Sequence, residues 1–341
     1  MAVLGIVTSS PDGVEGGHLV IARALVAAAS EAGHDARLVV TADHGFGRLA
    51  SSYLANWRTD VSAFDQVISL RYPSFAVRHP RHVCWLNHTM REYYDLWPRF
   101  AASISARARV KERVRRSLLH ATDRWLLTRH VTEVVAQSFT VQHRLADALG
   151  VQADVLWPPP PQRAYRCDGY DDYVFAVSRL TPLKRVDLLV RALAEPSASG
   201  VRAVIAGEGE SRAALERLAV DLGVDARVTF LGRASDRQVL DHLARCRAVC
   251  FTPLDEDYGF VTVEAFASAK AVVTCRDSGG PAELVRHGET GLLCDPAPAS
   301  IAGALGHLRD DRAFAERLGA AAAAAAKAMS WASAVKRLVI V

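Results

Sequence analysis

Apolar positions along the chain follow two patterns that alternate. Ala2 to Val7 form a short, nearly continuous apolar run, and a polar, glycine-rich stretch follows from Ser9 to Gly17. Leu19, Val20, Ala22, Leu25, Val26 and Ala29 then recur on one broad helical face, and Gly33 stands where a C-capping glycine belongs. Leu38 to Thr41, Gln66 to Leu70 and His82 to Leu86 read as further buried strands. This alternation predicts an α/β fold with parallel sheets.

Pro158 to Pro161 interrupt the pattern. A run of prolines fits neither a helix nor a central strand, so a stiff connector is expected there. Beyond it the alternation restarts. Strands are expected at 173–177, 201–206, 227–231, 248–251 and 271–274, with helices at 186–193, 212–222, 236–246 and 263–268. The alanine run from Ala320 to Ala326 predicts a helix leading to Trp331, whose indole should dock on a neighbouring element. The expected organisation is a first α/β domain over 1–160, a second over 161–325, and a C-terminal helix over 326–341 that packs back towards the first. Open α/β sheets bind ligands at the carboxyl ends of their strands, so both halves should offer loops to a cleft.

A length of 341 residues suits two domains with cores of their own, and half the residues are hydrophobic, as in globular proteins. The net charge of +4 suits an anionic ligand and is too small to argue for nucleic acid. No basic segment precedes the first apolar run, and no apolar stretch has the length of a membrane span, so a cytoplasmic location is expected. None of the six cysteines forms a CxxC pair. They read as small buried residues of a reducing compartment, with Cys246 and Cys250 expected on one helix face. Arg107, Arg109, Lys111, Arg113, Arg115 and Arg116 accompany a stripe of Val110, Val114 and Leu118. That helix could lie at the inner face of a membrane, meet an anionic acceptor, or simply be solvated between strands.

Four places carry candidate chemistry. Glu256 and Glu264 stand eight apart with Gly259 between them. Glu256 falls in a loop after a strand, and Glu264 is expected in the first turn of the next helix. The amides of Phe260, Val261, Thr262 and Val263 would then point at an anion, helped by the helix dipole. Arg179 and Lys184, after the first strand of the second half, can converge on one diphosphate. Gly16 and Gly17 follow the first strand of the first half, and His88 follows its strand ending at Leu86. Each has a plain structural reading as well: solvated glutamates, a capping loop, a turn, a core histidine.

Together these segments resemble the retaining glycosyltransferases of family 4, the group 1 glycosyltransferases. The spacing Glu256 to Glu264 matches the family's E-x7-E motif, Arg179 and Lys184 its phosphate-binding pair, and Gly16 and Gly17 its N-terminal glycine loop. His88 sits where the family has a histidine near the transferred sugar. Ala206-Gly207-Glu208-Gly209, Val228-Thr229-Phe230-Leu231-Gly232 and Gly279-Gly280-Pro281-Ala282-Glu283 with Gly288-Glu289-Thr290-Gly291-Leu292 also fit, in the family's order.

The resemblance implies a GT-B fold, two Rossmann-like α/β domains facing each other across a cleft. It implies transfer of a hexose-type sugar from a UDP- or GDP-linked donor to a hydroxyl of a glycan, lipid-linked or small-molecule acceptor, with retention of configuration. Arg179, Lys184 and the amides after Gly259 would hold the donor diphosphate. Glu264 would bind the ribose, Gly232 and Arg233 would meet the base, and Glu256 and His88 would contact the donor sugar. No metal and no other cofactor is implied. Val261 departs from a frequent proline, and Ala269 from a usual glycine; alanine at a left-handed C-cap costs about 1 kcal/mol. A nucleotide-sugar epimerase of the same fold and a non-catalytic sugar-nucleotide binder remain as alternatives. Products formed from donor alone would identify the first, and donor binding without turnover the second.

Overall fold

The computed structural model of the protein describes residues 1–10 and 17–341 and divides into two compact units, Met1–Pro161 with Ser330–Val341, and Gln162–Met329. Gly16 lies outside the described residues.

The first unit is built on strands β1 (Val3–Ser10), β2 (Asp35–Ala42), β3 (Gln66–Ser69), β4 (His82–Leu86), β5 (Glu133–Ala136) and β6 (Asp154–Val155). They form one sheet in the order β2-β1-β3-β4-β5-β6 with every pairing parallel. β3 and β4 are buried throughout, as expected of strands covered on both faces. Helices α1 (Gly17–Glu31), α2 (Leu49–Arg58), α3 (Trp97–Ser103), α4 (Ala106–Arg129) and α5 (Phe139–Leu149) join them. The sequence pattern found the first four strands. It missed β5, whose apolar run is only Val134 to Ala136, and β6, which has two residues.

The second unit repeats the plan: β7 (Val174–Val177), α6 (Val186–Ala194), β8 (Ala203–Ala206), α7 (Arg212–Asp221), β9 (Val228–Gly232), α8 (Asp236–Arg245), β10 (Ala248–Cys250), α9 (Phe260–Ala267), β11 (Val272–Cys275), α10 (Gly280–Leu284), β12 (Gly291–Cys294), α11 (Pro298–Asp310) and α12 (Arg312–Ala328). Its sheet order is β12-β11-β10-β7-β8-β9, again all parallel. The strand order reverses between β7 and β10, the kind of switch point where such sheets open a ligand crevice.

Cys246 and Cys250 do not share a helix face. Cys246 caps α8 and Cys250 ends β10, so the chain has left the helix before it reaches Cys250. Both are buried, and Cys167 alone among the six cysteines is exposed.

A last helix, α13 (Trp331–Leu338), belongs to the first unit. Trp331 donates its indole N–H to the Pro160 carbonyl at 2.9 Å and meets the buried Trp85 ring edge-on. Gln66 closes the same seam with both ends of its amide: Nε2 donates to Leu338 O at 2.7 Å, and Oε1 accepts from Ile340 N at 2.8 Å. Arg337 pairs with Glu133 and, at 2.8 Å, with Asp154.

Ala269, just past the end of α9, has φ of 54°. The strain is held by the surroundings. Its carbonyl accepts from Tyr170 OH at 2.6 Å, and the fully buried Lys270 lies 3.7 Å from the Tyr170 ring centroid. Ala269→Gly should therefore stabilise the second unit by about 0.5–1 kcal/mol, the relief of Cβ crowding less the added chain entropy. The denaturant midpoint should rise with an unchanged slope; a lower midpoint would contradict this account.

In the first unit Asp123 is fully buried on α4 and accepts from the hydroxyls of Tyr53 and, at 2.5 Å, Tyr94. Burial pushes its pKa up to about 7, while the two hydroxyls pull the other way. The folded state therefore keeps a proton that the unfolded state, near 3.8, has lost. This contribution is full below that value and is lost as pH rises through about 7. Denaturant titrations across that window should show stability falling by at most about 1.4 kcal/mol per pH unit from this group. Asp123→Asn should flatten the slope, and an unchanged slope would assign it elsewhere.

Candidate active site

The loops after β7, β10 and β11 meet at one edge of the second sheet. The loop after β7 carries Arg179 to Arg185, and Lys184 turns back across the end of β10. Its Nζ donates to Glu256 Oε2 at 2.6 Å and lies 5.5 Å from the Phe251 ring centroid. Both members of this pair are mostly buried, with side-chain exposures of 12% and 20%. Lys184 and the first glutamate of the motif are thus one ion pair. Arg179 is exposed, and no side-chain partner holds its guanidinium among the described residues.

Arg185, which the sequence reading passed over, is what fixes this corner. It adopts φ of 47° and spreads its fork over three groups. Nε donates to Thr252 O at 2.9 Å, Nη2 to Pro253 O at 2.7 Å, and both terminal nitrogens reach Asp277, at 2.8 and 2.6 Å. One side chain ties the loops after β7, β10 and β11 together. Two adjacent basic residues looked alike in sequence, and only the tertiary structure separates their jobs.

The loop holding Glu256 is strapped to the loop after β11 by main-chain bonds. Asp255 N donates to Asp277 O, Glu256 N to Ser278 O, and Gly280 N to Glu256 O, all within 2.8–2.9 Å. This requires Gly279, whose φ is 67° and where an added Cβ would stand 2.4 Å from Glu256 O. Gly259 serves α9 in the same way. It is the N-cap at φ of 82°, and a Cβ there would meet Pro281 at 2.7 Å and Phe251 at 2.9 Å.

α9 begins at Phe260, three residues before the expected start, which moves Glu264 out of the first turn into the second. The first-turn N–H groups of Phe260, Val261 and Thr262 still lie at the helix's positive end; Thr262 N bonds Gly259 O at 2.9 Å. Glu264 is 8% exposed. Its Oε1 accepts from Arg163 Nη1 at 3.0 Å and from Tyr165 OH at 3.1 Å. Burial raises its pKa, and Arg163 and the Tyr165 hydroxyl work against that rise. Arg163 and Tyr165 are the functional neighbours that sequence reasoning missed; no spacing links position 163 to position 264.

Gly232 ends β9 at φ of 70°, followed by the exposed Arg233. In the first unit His88 lies two residues past β4 with Nδ1 at 2.8 Å from Thr89 O, and Gly17 opens α1. No group of three or more His, Cys, Asp or Glu is placed to hold a metal among the described residues.

Residues 163–325, nearly the whole second unit, match the family model described as Glycosyl transferases group 1. That match lies within the second unit and covers just under half of the chain. It is 38% identical over 167 residues to the D-inositol 3-phosphate glycosyltransferase of Nocardia farcinica, a match covering 46% of this chain and 37% of that protein. It is 36% identical over 189 residues to a GDP-mannose-dependent alpha-(1-6)-phosphatidylinositol monomannoside mannosyltransferase of Mycobacterium tuberculosis, covering 50% of this chain and 48% of that protein. The matches span less than half the length of either relative. Among solved structures, Anabaena Alr3699/HepE in complex with UDP and glucose aligns with a TM-score of 0.71 at 20% identity over 98% of this chain and 97% of its own. Sucrose-phosphate synthase from Thermosynechococcus elongatus aligns with a TM-score of 0.76 at 16% identity over 98% and 97%. At these identities the likeness is one of fold, and that fold is GT-B.

Gly279→Ala should push the Gly279–Gly280 strap off Glu256. A main-chain clash of this kind, added to alanine at positive φ, should cost about 1–3 kcal/mol. Urea melts of the variant measure it. A variant as stable as the parent would mean that the strap yields freely.

Proposed function

We propose that this group 1 glycosyltransferase moves a hexose-type sugar from a UDP- or GDP-linked donor to an acceptor hydroxyl, retaining the anomeric configuration and needing no metal. The observation that carries the reading is the gathering of Lys184, Glu256, the α9 N-terminus and Glu264 at one sheet edge within the family's own domain, with the exposed Arg179 on the loop that carries Lys184.

The roles follow from charge. As the glycosidic bond breaks, the departing diphosphate gains negative charge and the sugar becomes oxocarbenium-like. Arg179, Lys184 and the N–H groups of Phe260 and Val261 stabilise that diphosphate more than the intact donor, and this preference is what accelerates transfer; the Thr262 N–H, expected to join them, is already given to Gly259 O. The donor first has to take Lys184 from Glu256, and the freed carboxylate then accepts hydrogen bonds from donor-sugar hydroxyls. Arg163 and Tyr165 both occupy Glu264 Oε1, which leaves Oε2 for a ribose hydroxyl. Gly232 and Arg233 meet the base, and Gly16, Gly17 and His88 act from the first unit. The acceptor is a glycan, a lipid-linked sugar or a small molecule; the named relatives' inositol-containing acceptors make a polyol the first class to try.

The deciding experiment is product analysis in excess chelator with UDP- and GDP-hexoses and a polyol panel. The expected result is transfer with the donor's anomeric configuration, read from the anomeric proton coupling. Inverted product, or activity restored only by manganese or magnesium, would overturn the reading. A free epimer formed without acceptor would favour the epimerase.

A variant series separates binding from turnover. Arg179→Ala and Lys184→Ala should each weaken nucleoside diphosphate binding by about tenfold, near 1.4 kcal/mol for a charged contact, and remove most transfer. His88→Ala should keep diphosphate affinity and melting temperature while turnover falls. Calorimetric titration with UDP and GDP checks the first pair, and unchanged affinity there would remove both residues from the diphosphate site.

A further inference from the structure

α4 has two apolar faces where a solvated helix has one. Its inner face carries Glu112, Leu119, Asp123, Leu126 and Leu127, all buried. At about 100° per residue, Val110, Ala121, Val114, Trp125 and Leu118 fall within an arc of about 80° on the opposite side. Those side chains stand in solvent: Val110 is 63% exposed, Val114 58%, Leu118 64% and Trp125 48%. The stripe runs for about 22 Å. Lys111 and Arg129 border it on one side, Arg113 and Arg124 on the other.

No acidic charge on α4 faces out to offset these cations. Glu112 accepts from Tyr93 OH at 2.5 Å and from Arg115 at 3.1 Å, and Asp123 accepts from Tyr53 and Tyr94. Beyond the C-terminal end of the helix lies an open recess of about 420 Å³ whose lining includes Arg78, His79, Arg129 and His130 and no carboxylate. The Trp125 ring, at the end of the stripe, stands 4.2 Å from the His130 ring. An apolar stripe one helix wide, edged by cations and closed by a tryptophan, is complementary to an interface that is apolar within and anionic at its surface. Trp125 is the one planar side chain of the stripe, and a single ring makes no platform for successive bases, which disfavours a nucleic acid.

We propose that α4 docks the protein on an anionic lipid bilayer, with Val110, Val114, Leu118 and Trp125 in the interface and the flanking cations at headgroup level. The docking is separate from the transfer reaction, and the circular dichroism spectrum and thermal melt of the full chain serve as the folding control in every variant.

The test is co-sedimentation of the full chain with vesicles of phosphatidylcholine and phosphatidylglycerol, against vesicles of phosphatidylcholine alone. Binding to the anionic vesicles should be at least tenfold tighter and should be lost at high salt. Val110→Ser with Val114→Ser and Leu118→Ser should weaken it at least tenfold, and Lys111→Glu with Arg113→Glu and Arg124→Glu should abolish it. Val114→Ser alone gives a smaller loss of the same sign and serves if the triple variant fails to fold. Absence of binding to anionic vesicles overturns the proposal, as does unchanged binding by the serine variant. Full displacement by millimolar inorganic phosphate would assign the recess to a free anion. Tighter binding to single-stranded RNA that survives the serine changes would assign the helix to nucleic acid. A parent dimer that the serine variant dissolves, without vesicle binding, would assign it to a second copy; each of these outcomes overturns lipid docking.

Discussion

Parallel pairing makes every strand of a sheet point the same way, so the loops that follow strands gather along one edge. In the second unit that single constraint brings together residues from 179 to 280. β7 delivers Arg179 and Lys184, β10 delivers Glu256 and the start of α9, and β11 delivers Gly279 and Gly280. None of these segments is adjacent in sequence, and the edge exists only because all the crossovers return the chain to the same starting side.

Gathering loops at an edge is not enough to give them a shape, and here backbone and charge divide the task. The Glu256 loop and the Gly279 loop hold each other by main-chain hydrogen bonds at a separation that leaves no room for a Cβ. Arg185 then satisfies two strand-end carbonyls and the Asp277 carboxylate at once. Leaving such carbonyls unpaired in a buried corner would cost more than an ordinary hydrogen bond gains. With the frame fixed this way, Lys184 and Glu256 need hold nothing but each other. Their pairing keeps a lysine that is mostly out of water compensated.

The fold was legible where burial is continuous and the segment long. β3, β4 and α6 stand almost where their apolar runs placed them, and Ala269 is left-handed at the position where alanine replaces an expected glycine. β5 and β6 were not legible, since β5 offers an apolar run of only three residues, Val134 to Ala136, and a two-residue strand carries no period. At the candidate site, motif spacing singled out Glu256, Glu264, Arg179 and Lys184, but it could not show that Lys184 and Glu256 are partners. It also placed Glu264 one turn too early, because helix starts are set by Gly259 and its packing rather than by the apolar pattern. Arg163, Tyr165 and Asp277 were invisible for a different reason: each matters only through a contact about ninety to a hundred residues distant in sequence.

The seam where α13 meets the first unit bears on how the chain is made. Gln66, Glu133, Asp154 and Pro160 wait with unsatisfied partners until Leu338, Ile340, Arg337 and Trp331 reach them. On the ribosome, all of residues 162–329 emerge before residues 330–341 do. The second unit therefore has its entire sequence available for folding first, although the first unit is begun earlier. Until translation passes position 340, the nascent first unit lacks its last helix and shows water a patch of apolar wall around Trp85, the period in which a chaperone would find most to hold.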